Sequence, residues 1–243
     1  MNISATIVTL NEERNIARAL ESLNCVDEIV VVDSGSTDRT VEMATRRGVR
    51  VIQHEWPGYA AQKNFAAASA KHDWILSIDA DEALSEELQA EVAQLRGLEP
   101  ACQGYSMPRL AHYLGRWITH SGWYPDRKVR LYDRRRASWK GEHVHESVVV
   151  DGATSELHGK LLHFTCDSLS AHLRTIDRYT TLAARGARQR GLGYLMISPM
   201  WTFIRSYVVQ RGFLDGPQGF AIAWMAALYT FLKYAKARRD LGA

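Results

Sequence analysis

Cysteine is scarce. Cys25, Cys102 and Cys166 are scattered through 243 residues and never stand in Cys-x-x-Cys spacing. That argues against a disulfide framework or a zinc ribbon and favours a reducing compartment. An excess of one charge is also missing. Lys and Arg number 30 against 27 Asp and Glu, a net +3, too weak to argue for a nucleic-acid polymer as partner. No apolar run reaches the ~20 residues that a membrane-spanning helix needs. The N-terminus lacks the basic segment and long apolar core of a signal peptide, so the chain is expected in the cytoplasm. Low-complexity tracts and internal repeats are absent as well. The composition is that of an ordinary globular protein, long enough for one large domain or a domain with an appendage.

The most informative stretch is Trp74-Ile75-Leu76-Ser77-Ile78-Asp79-Ala80-Asp81-Glu82. A continuous apolar run of this length fits a strand covered on both faces, as in parallel sheets. Open parallel sheets bind ligands just past the carboxyl ends of their strands, which puts Asp79 and Asp81 on a cleft floor. Two oxygen donors there suit a hard divalent cation that takes the rest of its shell from water and phosphate. The plainer alternative is an acidic turn capping the helix that begins near Ser85.

Upstream, Ile3 to Leu10 reads as a first strand, and Asn11 as the N-cap of a helix with Glu12 and Glu13 in its first turn. Glu28 to Val32 is a second strand, leading through Asp33-Ser34-Gly35-Ser36-Thr37-Asp38 into a second helix. Val49 to His54 is a third strand, and Tyr59 to Ala70 is helical. Strands and helices alternating in this way predict βαβ units and a mostly parallel sheet. Polar groups follow each strand end, so they gather on one edge that can hold a nucleotide.

Four of these segments carry a resemblance. Thr9-Leu10-Asn11-Glu12-Glu13, Asp33 to Asp38, Gln62-Lys63-Asn64 and Asp79-Ala80-Asp81-Glu82 occur in the order seen in family 2 glycosyltransferases, and the first hundred or so residues resemble that family. The resemblance implies an α/β GT-A fold and a nucleotide-diphosphate-sugar donor. It implies a donor site of Thr9, Asn11, Glu12, Asp33, Ser34, Lys63, Asp79 and Ala80, with Asp33 recognising the base. It also implies a Mg²⁺ or Mn²⁺ ion held by Asp79 and Asp81, with His163 as a third ligand. For Lys63 the alternative is a solvated helix lysine.

Beyond the helix from Ser85 to Arg96 the rhythm stops, and the chain becomes aromatic and basic. Tryptophan faces stack on sugar rings, and arginines match phosphate or carboxylate, so an anionic saccharide acceptor is expected at Trp123, Arg127, Arg130 and His145. Arg134 to Arg136 read as a solvated turn. The segment Gly122 to Tyr132, with Val144-His145-Glu146 downstream, is similar to the subgroup containing lipopolysaccharide core β-1,4-glucosyltransferases (the WaaE type). That resemblance implies UDP-glucose as donor and an inner-core heptose as acceptor. An inverting transferase needs a carboxylate to take the acceptor proton. Glu146 is the first choice because it occupies the His-Glu motif of the subgroup that the chain resembles; the family's more usual Glu-Asp pair is absent at the expected place, and Glu142 and His145 are rivals. His143 and His145 also allow a metal pair along a strand, though each is more often a hydrogen-bonded structural histidine.

From Tyr194 two apolar, aromatic runs appear, the second ending in Lys233, Lys236, Arg238 and Arg239. Short apolar faces flanked by basic residues suit helices lying in the interface of an anionic membrane; packing on the catalytic domain or a dimer contact is the alternative. The expected organisation is therefore a catalytic domain over 1–165, divided into a donor half (1–100) and an acceptor half (101–165), and a helical, membrane-associating region over 166–243. The enzyme would be peripheral on the cytoplasmic face of the inner membrane. Other cell-envelope glycans remain possible acceptors. A sugar-nucleotide pyrophosphorylase is disfavoured because Asn11-Glu12-Glu13-Arg14 is acidic and lacks glycine. A catalytically inactive nucleotide-sugar sensor would keep the donor site without turnover, and a zinc hydrolase built on the histidines leaves the four strand-end motifs unexplained.

Overall fold

The structure, a computed structural model, describes residues 1–141 and 146–238. The chain forms two compact units. One comprises Met1–Arg109 and Asp126–His163; the other comprises Leu110–Pro125 and the described chain from Phe164 onward. The division is discontinuous, residues 110–125 going with the helices.

In the first unit β1 (Ile3–Thr9), β2 (Glu28–Asp33), β3 (Arg50–Gln53) and β4 (Trp74–Asp79) pair in parallel in the order β3-β2-β1-β4. β5 (Glu82–Leu84), β6 (Gly104–Tyr113), β7 (Arg116–Ile118), β8 (Asp126–Asp133), β9 (Ala137–Lys140), β10 (Ser147–Val150), β11 (Thr154–Glu156) and β12 (Leu161–Cys166) complete the strands. β8 joins β4 antiparallel and then pairs with the first part of β6, so the sheet is mixed, with its parallel part formed by the first four strands. Helices α1 (Ile16–Glu21), α2 (Thr40–Arg46), α3 (Tyr59–Ser69) and α4 (Glu86–Leu95) cover the two faces.

Alternation along the strands explains both layers. Ile3, Ala5, Ile7, Val31 and Leu76 meet Ile16, Leu20, Leu88 and Val92 on one face. Val30, Val32 and Ile75 meet Ala66, Ala67 and Trp139 on the other. Burial on both sides is why these strands read as unbroken apolar runs. Register then builds the edge: Thr9 stands opposite Asp33, Val8 opposite Asp79, and Asp33 opposite Gln53. The carboxyl ends of β1, β2, β3 and β4 therefore finish nearly level.

Asn11 does not cap a helix. It adopts φ 57°, and α1 starts only at Ile16. Ser85 does cap α4, accepting from the Leu88 amide at 3.3 Å.

In the second unit β7 pairs with the last residues of β6, and α5 (Leu169–Ala184), α6 (Leu192–Ile204) and α7 (Gly216–Lys236) supply the helices. α5 stops just ahead of Gly186, a poor helix former. A π-helical turn, Arg205–Val209, and a 3-10 turn, Gly212–Asp215, bend the chain from α6 into α7. Tyr113, Ile118 and Ile222 form a small buried cluster. Among the described residues no helix is long and apolar enough to cross a membrane.

Candidate active site

Two loops at the sheet edge are stitched together by short polar side chains. The Asn11 amide donates to Ser36 Oγ at 2.8 Å, and Asn11 Oδ1 accepts from the Thr37 amide at 2.8 Å. The Glu12 amide donates to Thr40 Oγ1 at 2.7 Å, and the Glu13 amide to Asp38 Oδ2 at 3.1 Å. This cross-loop bonding wins over the cap expected at Asn11; asparagine tolerates the left-handed region and readily bonds neighbouring backbone. Asp33 is fully buried, and its carboxylate accepts from the amides of Gly35 and Ser36, both at 2.9 Å, and from the Ser36 hydroxyl. It therefore shapes the loop between β2 and α2. Ser34 Oγ accepts from Gln62 Nε2 at 3.0 Å, and Thr9 Oγ1 is buried with no partner among the described residues.

The floor is an alternating set of carboxylates and cations. Asp79 Oδ1 lies 2.8 Å from Lys63 Nζ, and Asp79 Oδ2 lies 3.1 Å from Arg130 Nη2. Arg130 Nη2 also donates to Glu82 Oε1 at 2.7 Å, while Glu82 Oε2 accepts from the Asp79 amide at 3.0 Å. Glu82 thereby locks the turn between β4 and β5. Burial works against an ionised Asp79, but the charges of Lys63 and Arg130 outweigh it and hold its carboxyl well below the usual carboxylate range. Burial likewise opposes a charged Arg130, yet Glu82 and Asp79 keep the guanidinium firmly protonated.

Arg130 reaches this position through a β-bulge. Tyr105 pairs with Leu131 but Ser106 pairs with Val129, which leaves Arg130 as the extra residue of β8. Bulges re-aim a side chain, and this one sits next to the carboxylates. Arg130 is 3% exposed, so the acceptor contact expected of it is replaced by a counter-ion role beneath Asp79.

Lys63 is 3% exposed, and the solvated alternative does not hold. On α3 it shares a buried stripe with Gln62, Ala66 and Ala67, the 3.6-residue spacing of an inward face. Its ammonium lies 4.3 Å from the Trp139 ring centroid, a cation–π contact, and 3.3 Å from Glu146 Oε1. Asn64 fixes Trp139 from the same helix, with Nδ2 donating to its carbonyl and Oδ1 accepting from its amide, both at 2.9 Å. Glu146 Oε2 is buried and has no partner among the described residues.

His163 comes to the site through register. β12 pairs antiparallel with β5, placing His163 opposite Glu82 and its Nε2 3.2 Å from Asp81 Oδ2. Burial opposes protonation of that imidazole, but the hydrogen bond and charge of Asp81, helped by Glu82, raise its pKa overall. Glu12 is raised as well, first by burial and then by the charges of Asp81, Asp38 and Asp79, with Asn15 opposing. Carboxylates thus crowd this edge closely enough to penalise one another.

Of the remaining expected residues, Ala80 is buried within the Asp79–Asp81 turn. Arg127 pairs with Glu156 at 3.1 Å and donates to the Leu157 carbonyl at 3.2 Å. Trp123 belongs to the second unit, its ring 5.4 Å from that of Tyr113. His145, with Glu142 and His143, lies outside the described residues. The arginine turn is partly structural, since Arg134 donates to the carbonyls of Ala67 and Ala70 at the end of α3, at 2.7 and 2.8 Å. Sequence reasoning missed Glu82 as the turn lock and Trp139 as the platform under Lys63. Glu82 stood inside the quoted motif, but nothing local identified its partner.

Comparison with known proteins agrees with this geometry. The model of the family described as "Glycosyl transferase family 2" matches residues 4–149. An uncharacterized glycosyltransferase of Rickettsia typhi is 33% identical, over 97% of this chain and 86% of its own. The lipopolysaccharide core biosynthesis glycosyltransferase LpsC of Rhizobium meliloti is 32% identical, over 96% of this chain and 91% of its own. Among solved structures, TarS 1–349 of S. aureus shares the fold at 19% identity, with a TM-score of 0.51 over all of this chain and 83% of that one. The level strand ends, the acidic turn after β4 and relatives that match almost from end to end lead to one assignment: the chain belongs to glycosyltransferase family 2 and is a glycosyltransferase with a GT-A fold.

Proposed function

We propose that the enzyme transfers a hexose, with inversion, from a nucleoside-diphosphate sugar (UDP-glucose) to a membrane glycolipid, the heptose region of lipopolysaccharide inner core. The observation that carries this reading is Lys63. Its ammonium joins Asp79, on the donor floor, to Glu146, whose second oxygen is left without a partner. Glu146 is then the base. It takes the proton of the acceptor hydroxyl as that oxygen bonds to the anomeric carbon, and the sugar–phosphate bond breaks with its electron pair leaving on the nucleoside diphosphate. A positioned base of this kind is worth on the order of 10²–10⁴-fold. Lys63 holds Glu146 in place. The similarity to LpsC supports the acceptor class.

The residues fit a divalent cation, Mg²⁺ or Mn²⁺. Among the described residues no three His, Cys, Asp or Glu side chains converge, but Asp81 and His163 do so as a pair. One or two protein donors, completed by phosphate oxygens and water, is the usual arrangement for a cation that travels with a nucleotide. Asp79, with a cation on each oxygen, is the less available donor and serves to fix Lys63 and Arg130. When bound, the metal offsets charge developing on the leaving diphosphate as a Lewis acid. Arg127 and Trp123 are kept as acceptor contacts, and a glycolipid acceptor puts the protein, as a peripheral enzyme, on the cytoplasmic face of the inner membrane.

The test offers a panel of nucleotide sugars to the purified protein, with and without Mn²⁺ or Mg²⁺, and scores release of nucleoside diphosphate. Metal-dependent turnover of one UDP-sugar, lost in Asp81→Ala, is the expected result. Donor binding without turnover, even with lipopolysaccharide core present, would replace the transferase by a sensor.

A further inference from the structure

The second unit carries an apolar surface that donor chemistry does not use. At the bend between α6 and α7, Val208 and Val209 are 55% and 64% exposed, and Phe213 and Leu214 are 49% and 48% exposed. Trp201 on α6 and Trp224 on α7 are 58% and 60% exposed. Ring contacts link the two helices with the bend: Phe203 lies 5.6 Å from Phe220 and 6.1 Å from Trp224, and Tyr207 lies 5.7 Å from Phe220 and 6.3 Å from Phe213. An apolar patch that continues over three elements marks a binding surface.

Charge identifies what covers it. From Arg178 to Arg238 the sequence holds nine Arg and Lys and one acidic residue, Asp215. Asp215 is 1% exposed, and Asp177, just before this stretch, is paired with Lys236 at 2.7 Å, so cations predominate on the exposed surface of this stretch. Arg205 and Arg211, both exposed, flank the bend. A second copy of the chain would bring like charge against like charge. An anionic lipid surface complements it, and helices too short or too polar to cross a bilayer lie in its interface instead.

Asp215 ties this bend to another part of the unit. It stands at the N-cap of α7 but caps no amide of that helix. Its carboxylate instead accepts from the amides of His120 at 3.0 Å and Thr119 at 3.3 Å, and from the Ser121 hydroxyl at 3.4 Å. The Ser121 amide donates to the Gln210 carbonyl at 3.0 Å. Residues 119–121 are thus fastened to the bend, a few residues before Trp123.

We propose that the bend inserts into the headgroup region of an anionic bilayer, with Val208, Val209, Phe213 and Leu214 as its tip and Arg205 and Arg211 at headgroup level, and that Asp215 makes residues 119–121 move as one piece with that docked tip. The purpose of the docking rests on the glycolipid reading above, but the docking is measured without any sugar.

The experiment floats the full chain with vesicles of phosphatidylcholine and with vesicles of phosphatidylcholine plus phosphatidylglycerol. Flotation with the anionic vesicles only, weakening with salt, is expected. At roughly fivefold per cation near an anionic surface, Arg205→Gln with Arg211→Gln lowers partitioning by about 25-fold. Val209→Asp with Phe213→Asp, at exposed positions that leave folding intact by circular dichroism, abolishes it. Absence of flotation, indifference to the arginine changes, or a concentration-dependent dimer in place of vesicle binding would overturn the docking. Hydrogen exchange tests the tie: the amides of Thr119 and His120 slow on anionic vesicles in the wild type and not in Asp215→Asn, and no slowing in the wild type removes it. Metal-dependent donor hydrolysis is scored in parallel and is expected to persist in the tip variants; its absence in the wild type would count against the transferase reading and not against the surface.

Discussion

Replacing Arg130 by Met separates a counter-ion under the donor floor from an acceptor contact. The substitution fills much of the same space but leaves Glu82, whose side chain is wholly buried, without its 2.7 Å partner. Breaking a buried pair from one side costs about 3–5 kcal/mol, because a charge stays behind in a poorly solvated place. Two features put the value near the lower end. Lys63 still holds Asp79 at 2.8 Å, and Arg109 Nη1 lies 3.6 Å from Glu82 Oε1 and screens part of its charge. A loss of about 3 kcal/mol corresponds to a fall of about 6–12 °C in Tm for a chain of this size. Thermal melts of Arg130→Met, Glu82→Gln and the double variant complete the cycle. Glu82→Gln can still accept from the Asp79 amide, so the double variant is expected to recover most of the loss, with a coupling of about 2 kcal/mol. A wild-type melt for Arg130→Met, with only a raised acceptor KM, would refute the buried-pair argument and return Arg130 to the acceptor.

Three further outcomes follow from other contacts. Glu146→Gln keeps the shape and the Lys63 contact but cannot take a proton, so acceptor turnover falls by about 10²–10⁴-fold while donor binding, followed by calorimetry, is unchanged; retained turnover moves the base to the neighbouring residues 142–145. Asn64→Ala removes both hydrogen bonds to the Trp139 backbone, costing about 1–3 kcal/mol in denaturant unfolding and loosening the platform under Lys63, so kcat drops as well. Burial holds the His172 imidazole below its ordinary 6.5, neutral and able to accept from the Tyr113 hydroxyl at 2.8 Å, while burial, aided by Cys166, pushes Tyr113 up to about 12 and keeps it the donor. That contribution is complete above pH 6.5 and is lost as pH falls from there through the lowered folded value; Tm should fall more steeply with acid in the wild type than in His172→Gln, and parallel slopes would exclude it.

The donor side was legible because each of its signals is local. A strand period, a polar loop and the next helix all lie within a dozen or so residues of one another, and parallel pairing then aligns the strand ends without further information. Lys63 was legible through the resemblance alone: its buried face, shared with Gln62, Ala66 and Ala67, is set by the fold. The helix start was not, because Asn11 suits an N-cap and a left-handed turn equally. Its Thr37 partner is 26 residues away.

The contacts that complete the site span much longer separations: 48 residues for Arg130 with Glu82, 75 for Asn64 with Trp139, and 83 for Lys63 with Glu146. No periodicity reports on these pairs. Arg130 shows the difficulty in its sharpest form. In a regular strand Arg127 and Arg130, three apart, point to opposite faces, so a shared acceptor surface already conflicts with a strand reading. Strict alternation would then choose a face for Arg130 from its distance to Arg127. The bulge breaks that count, because Arg130 has no opposite residue in β6 and its side chain is re-aimed locally. A bulge of this kind need carry no glycine and leaves no mark in residue identity. What selects the inward direction is the buried carboxylate of Glu82, which must have a cation, and the chain supplies one only because β5 and β8 are brought together by folding.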